Sequence, residues 1–148
     1  MTMMPVARHE PYGADAATAR RMATLADRLY AAWTEGELVP RAKLLSTCCT
    51  PDVVYANPLG EAVGVARLAE LIGEFLAPYP GHRPIRTSGV DVHHHCARWE
   101  WGLRDSIGQV VLVGLDAVTF TDEPRLATVS TFFGAPPRRV YSVGSTAV

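Results

Sequence analysis

Four stretches in the second half of the chain, residues 85–92, 97–103, 110–120 and 126–133, are rich in β-branched and aromatic side chains. Only turn material separates them, at 93–96, 105–108 and 122–124. A parallel crossover takes a dozen residues or more, so links this short make successive strands pair antiparallel. Such a sheet has an apolar face to cover, and the cover has to come from the first half.

That half reads in helical period. From Ala16 the apolar side chains Met22, Leu25, Ala26, Leu29, Tyr30 and Trp33 form one stripe, with Asp15 or Thr18 as a cap and Gly36 as the stop. Pro40 suits the first turn of a short second helix carrying Leu44 and Leu45. Thr50-Pro51-Asp52 then leads into a short strand over 53–57, halted by Pro58 and Gly60. A third helix follows Gly64, with Val65, Leu68, Leu71, Ile72, Phe75 and Leu76 on one face, closed by Pro78, Pro80 and Gly81. Helices first and hairpins afterwards predict an α+β fold, a curved antiparallel sheet over three helices with a cleft between the layers. We place the domain at 15–135, with a loose arm at 1–14 and a tail at 136–148.

Composition narrows the function. At 148 residues, 48% hydrophobic and 20% charged, the chain has material for one domain with a real core. A net charge of −1 without a basic stripe argues against nucleic acid. Cys48, Cys49 and Cys96 are too few for a disulfide framework and read as reduced thiols. No apolar run is long enough for a signal peptide or a membrane span, so the expectation is a soluble cytoplasmic protein.

Among polar candidates Asp116 stands out. It sits between Leu115 and Ala117 in the most apolar strand, where a carboxylate must be solvated, paired or protonated. It reads as a general acid, a general base or a donor to a substrate oxygen; pairing with Arg98 or Arg125, or an outward orientation, is the plain alternative. Tyr55 and Asn57 lie two apart on a strand and so share a face, where they can orient a carbonyl or a water. Asn57 equally suits turn chemistry before Pro58. Trp99, Trp101 and Leu103 point one way and Arg98, Glu100 and Arg104 the other, which sends the tryptophans inward. Trp33 and Phe133 fit the same apolar wall, with ordinary core packing as the default for every ring. Adjacent histidines His93, His94 and His95 alternate faces and lack a third ligand at metal spacing, so they read as a solvated turn. Cys48-Cys49 reads as helix-end packing.

Glu35-Gly36-Glu37-Leu38, Asn57-Pro58-Leu59-Gly60 followed by Gly64, the run 115–120 and Thr131-Phe132-Phe133-Gly134 occur in an order and spacing that resembles the nuclear transport factor 2-like superfamily, in its SnoaL-like and ketosteroid-isomerase-like branches. The likeness covers 16–134 and implies a cone-shaped sheet and a homodimer. Asp116 falls where the isomerases carry the protonated acid of their oxyanion hole, Phe133 matches an apolar pocket residue, and Tyr30 lies close to the oxyanion-hole tyrosine. Asn57 stands where those enzymes have their general-base aspartate. Tyr55-Ala56-Asn57 and Arg98-Trp99-Glu100 are also similar to the water-holding residues of limonene epoxide hydrolase, whose remaining acid is replaced here by Thr131. The resemblance therefore implies a cofactor-free, metal-free enzyme acting on a hydrophobic, oxygen-bearing small molecule by isomerase, cyclase or hydrolase chemistry. A binding protein or a dimeric interaction module is the alternative. The expected catalytic residues are Asp116, Asn57 and Tyr55, and the expected substrate-binding residues are Tyr30, Trp33, Trp99, Trp101, Thr131 and Phe133.

Overall fold

The amphipathic stripe that begins at Ala16 forms helix α1 (Ala16–Thr34), and Met22, Leu25, Ala26, Leu29, Tyr30 and Trp33 are all buried on one side of it. The structure, a computed structural model, describes residues 16–139. The arm read at 1–14, the Asp15 cap and the tail beyond 139 lie outside the described residues. Helix α2 (Leu38–Ser46) takes Pro40 in its first turn, and α3 (Val65–Leu76) buries Leu68, Ala69 and Ile72. Among the described residues no helix is long and apolar enough to cross a membrane.

One buried cation ties the three helices together. Arg41, 6% exposed, donates from Nε (3.0 Å) and Nη2 (2.8 Å) to the Glu35 carbonyl just past the end of α1, and from Nη1 (3.0 Å) to the Ala69 carbonyl of α3. The carbonyl end of a helix favours a positive charge, so the guanidinium doubles as a cap. Gly73 gives it room, since a Cβ there would stand 2.8 Å from Nη1.

Among the described residues seven strands make one open sheet: β1 (Cys49–Asn57), β2 (Gly60–Val63), β3 (Arg83–Arg86), β4 (Asp91–His93), β5 (Cys96–Arg104), β6 (Val110–Phe120) and β7 (Leu126–Phe133). Their order is β2-β1-β7-β6-β5-β3, with β4 also on β5. The sheet is mixed rather than wholly antiparallel as expected, because β1 runs parallel to β7. Short links dictate the pairing of consecutive strands only, and these two are joined by most of the domain. The predicted strand at 85–92 is two strands, interrupted at residues 87–90, where the Ser88 hydroxyl oxygen accepts from the Glu100 N–H (2.7 Å) in place of a backbone carbonyl; both halves pair with β5, at opposite ends. β2 is an addition. It hairpins onto β1 because Asn57 Oδ1 accepts from the Leu59 (2.8 Å) and Gly60 (3.0 Å) backbone N–H groups.

Alternation sets the faces. On β5, Ala97, Trp99, Trp101 and Leu103 are buried while Arg98, Glu100 and Arg104 are exposed. On β6, Gly114, Asp116, Val118 and Phe120 are buried. The inner face of the sheet thus meets α1 and α3 over an apolar core, and Asp116 sits within it.

Candidate functional site

Strand register lays two rows across the inner face. Trp99 on β5 is opposite Asp116 on β6, which is opposite Thr131 on β7. Two residues along, Trp101 is opposite Gly114, which is opposite Phe133. The first row is polar at its centre. The second has a gap at its centre, and the Trp101 ring fills it: a Cβ on Gly114 would lie 2.2 Å from Trp101 Cζ2. Phe133 meets that ring edge-on, at 6.0 Å between centroids and 84° between planes.

A narrow cleft opens between these rows and the helices. Leu29, Tyr30 and Trp33 of α1 and Phe75 of α3 form one side. Pro84, Trp101, Leu103, Leu112 and Phe133 form the other, with Tyr55, Asn57, Asp116 and Thr131 as its polar members. Empty space between the walls, mouth included, amounts to about 420 Å³, but the cavity proper is only about 30 Å³. The closed part has room for one or two waters, so a ligand the size of a small ketone has to occupy the open mouth as well. Rings line it in sequence: Trp33 lies 6.0 Å from Tyr55 and 5.7 Å from Phe75, which lies 6.4 Å from Phe133.

Asp116 is 2% exposed and forms none of the ion pairs found among the described residues. Tyr30 donates its hydroxyl to Oδ2 at 2.5 Å, and Thr131 donates to Oδ1 at 2.7 Å. Behind Tyr30, Trp99 Nε1 donates to the phenol oxygen at 2.7 Å. Burial pushes the Asp116 carboxyl above its ordinary range, and its donors, Tyr30 and Thr131 foremost, pull it only part of the way back. Burial, with the Asp116 charge beside it, also drives the Tyr30 phenol far up, so that it stays a donor. Burial raises the Tyr55 hydroxyl to about 12, against the hydrogen bonds of Thr131 and Asn57. Asn57 Nδ2 reaches that hydroxyl at 3.2 Å.

Eight of the nine residues singled out in the sequence line this cleft. Trp99 does not: expected to enclose a ligand, it stands behind Tyr30 and orients it. Tyr30 itself spends its proton on Asp116, so it is not an independent donor to a ligand. Asn57 meets both readings, since its carbonyl holds the turn while its amide faces Tyr55. The epoxide-hydrolase arrangement is not assembled, because Arg98 and Glu100 are on the exposed face and Arg98 pairs with Asp91 at 3.0 Å. Neither Arg98 nor Arg125 pairs with Asp116; Arg125 donates to the Pro124 carbonyl. His95 Nε2 meets Asp122 Oδ1 at 2.7 Å, and no three His, Cys, Asp or Glu among the described residues converge on a metal-sized point. Cys48 and Cys49 are buried behind α2 with Sγ atoms 3.8 Å apart. Sequence reading missed Gly114, although a lone glycine inside a strong strand pattern is a signal of close approach.

A helix-covered, open curved sheet enclosing an apolar cleft is the fold of the nuclear transport factor 2-like class. Residues 26–129 match the model of the SnoaL-like domain, and the chain belongs to that family. Solved structures agree. A candidate isomerase of the SnoaL-like family from Agrobacterium tumefaciens is 27% identical with a TM-score of 0.73, over 78% of this chain and 99% of that one. A cystatin-like-fold protein of unknown function from Methylobium petroleophilum is 19% identical at 0.64, over 81% and 80%. A candidate SnoaL-like polyketide cyclase from Jannaschia is 13% identical at 0.59, over 77% and 83%. Among proteins of curated function, none matches the chain.

Proposed function

We propose that this chain is a cofactor-free enzyme that transfers a proton on a small, hydrophobic, oxygen-bearing molecule, with Asp116 as the group that takes and returns it. The observation that carries this reading is Asp116 itself: a carboxyl group buried without a cation, raised in pKa, and placed at the polar end of an apolar cleft. A raised carboxyl is the better base, and it stays ready to give the proton back. As a carboxylate it removes a proton from the carbon beside a carbonyl, and the C–H electron pair moves onto the carbonyl oxygen. Return of that proton to another carbon completes an isomerisation. If the enolate carbon instead attacks a second carbonyl of the same molecule, the proton goes to the new alkoxide and a ring is closed. The similar structures named as isomerase and polyketide cyclase support this pair of chemistries over water addition, for which Arg98 and Glu100 face the wrong way.

A binding protein is the second reading, favoured by one observation. Asp116 is the single acid among the residues lining the cleft, and the amide Asn57 stands where the resembled isomerases have their base. Asp116→Asn separates the two. Isomerisation of a β,γ-unsaturated cyclic ketone to its conjugated form, followed by ultraviolet absorbance, is expected to fall about 100-fold or more with binding retained. No turnover by the unsubstituted protein across such ketones and related diketones, with binding intact, would leave the binding protein standing. We also propose the homodimer expected from the resemblance, through the outward face of β6 and β7.

A further inference from the structure

One ring that lines the cleft carries a donor without a well-placed acceptor among the described residues. Trp101 is 6% exposed and its indole Nε1–H has no hydrogen-bond acceptor among the described residues. The other polar groups on the inner face are engaged. Trp99 donates to Tyr30, Tyr30 and Thr131 donate to Asp116, and Asn57 serves Tyr55 and the turn. An indole N–H is a donor only and loses free energy when buried without an acceptor. Its polar neighbour is Asp116, whose charge it favours as a distant donor, but the pair does not reach hydrogen-bond distance and angle, so the N–H is left underused.

The placement of this ring is built into the sheet. Gly114 is the cross-strand partner of Trp101, and any side chain there would collide with both the indole and the Phe132 carbonyl. Phe133 holds the ring from the next strand.

We propose that Trp101 Nε1–H is the ligand's hydrogen-bond donor, and that it takes the carbonyl oxygen of a small neutral ketone or aldehyde. A donor-only group calls for an acceptor. No Lys, Arg or His lines the cleft, and Asp116 repels an anion, so a carboxylate or phosphate is disfavoured. A carbonyl brings an acceptor without a hydrogen of its own to satisfy. This deepens the proton-transfer reading and rests on it for the occupant of the cleft. In that reaction the same oxygen gains negative charge as Asp116 takes the proton, so a donor fixed there stabilises the transition state more than the ground state.

Two probes of one shape test it: acetophenone, which carries the carbonyl, and isopropylbenzene, which replaces it by an apolar branch. The intact ¹⁵N-labelled chain has three indole signals, and the one missing from Trp101→Phe is that of Trp101. We expect acetophenone to move the Trp101 indole proton downfield and to bind about tenfold more tightly than isopropylbenzene. In Trp101→Phe that preference should fall to about one. Equal binding of the two probes without an indole shift overturns the role of Trp101 and leaves the apolar cleft intact. A preference that survives Trp101→Phe overturns it too, and assigns the oxygen to Asp116. Binding of neither probe defeats the small-ligand reading of the cleft as well. Should Trp101→Phe not fold, Trp33→Phe and Trp99→Phe assign the third indole signal to Trp101 by elimination, and its shift with the ratio of the two affinities still decides.

Discussion

At Asp116 two requirements of the same side chain oppose each other. A carboxyl that keeps its proton above the ordinary range is useful in a dry cleft, but its charged form is disfavoured there. The folded pKa lies above the ordinary aspartate value, and the unfolded one does not. Between the two the folded state keeps a proton that the unfolded state has lost, so stability falls as pH rises through that window. Asp116→Asn removes the titration while leaving an oxygen for the Tyr30 or Thr131 hydroxyl. We expect the variant to match the parent below the ordinary aspartate range, and to exceed it by about 1 kcal/mol above the window. Urea unfolding at a series of pH values measures this. A variant weaker than its parent at neutral pH would mean that Tyr30 and Thr131 hold the carboxylate more strongly than burial penalises it.

Elements show how local pattern and long-range packing divide the work. α3 would be a better helix with alanine at Gly73, by about 1 kcal/mol of intrinsic propensity. Arg41 reverses that preference, because its Nη1 occupies the space a Cβ needs and its guanidinium is anchored to the Ala69 and Glu35 carbonyls. We expect Gly73→Ala to destabilise the chain, and Arg41→Met to destabilise it by about 1–3 kcal/mol through the stranded Glu35 carbonyl. With Arg41→Met already in place, Gly73→Ala should become stabilising, a sign change that thermal unfolding of the four proteins would register. The same division decides what the sequence could reveal. Helices α1 and α3 and strands β5, β6 and β7 were legible because their apolar positions repeat at 3.6 or 2 residues. So were the inward tryptophans, and with them most of the cleft. β2 has only four residues and owes its existence to Asn57 holding the turn, which periodicity does not express. The parallel contact of β1 with β7 joins segments far apart in the chain, and local pattern is silent on it. Arg41 was hidden for a related reason: a lone arginine in a short helix reads as solvated until its distant carbonyls are known.

Whole-molecule behaviour turns on the outer face of the same strands. Phe132 is 57% exposed, and Val111 and Val113 are each 53% exposed. Alternation puts these three on the side of the sheet opposite the cleft, where Phe132 is paired across to Leu115. Their inward neighbours on β7 are Thr131 and Phe133, one holding Asp116 and the other holding Trp101. A second copy seated on this face would therefore brace the strand that carries both contacts. Phe132→Lys tests the pairing with little risk to the fold, because the side chain is outside the core and surface changes of this kind usually shift stability by about 0.5 kcal/mol or less. Light scattering on a sizing column should give twice the chain mass for the parent at micromolar concentration and the single mass for the variant. The acetophenone affinity should fall with it, as β7 loses its brace. A parent that runs at the single mass removes the homodimer. A monomeric variant with unchanged affinity would show instead that β6 and β1, which flank β7 in the sheet, hold the cleft without help from a second copy.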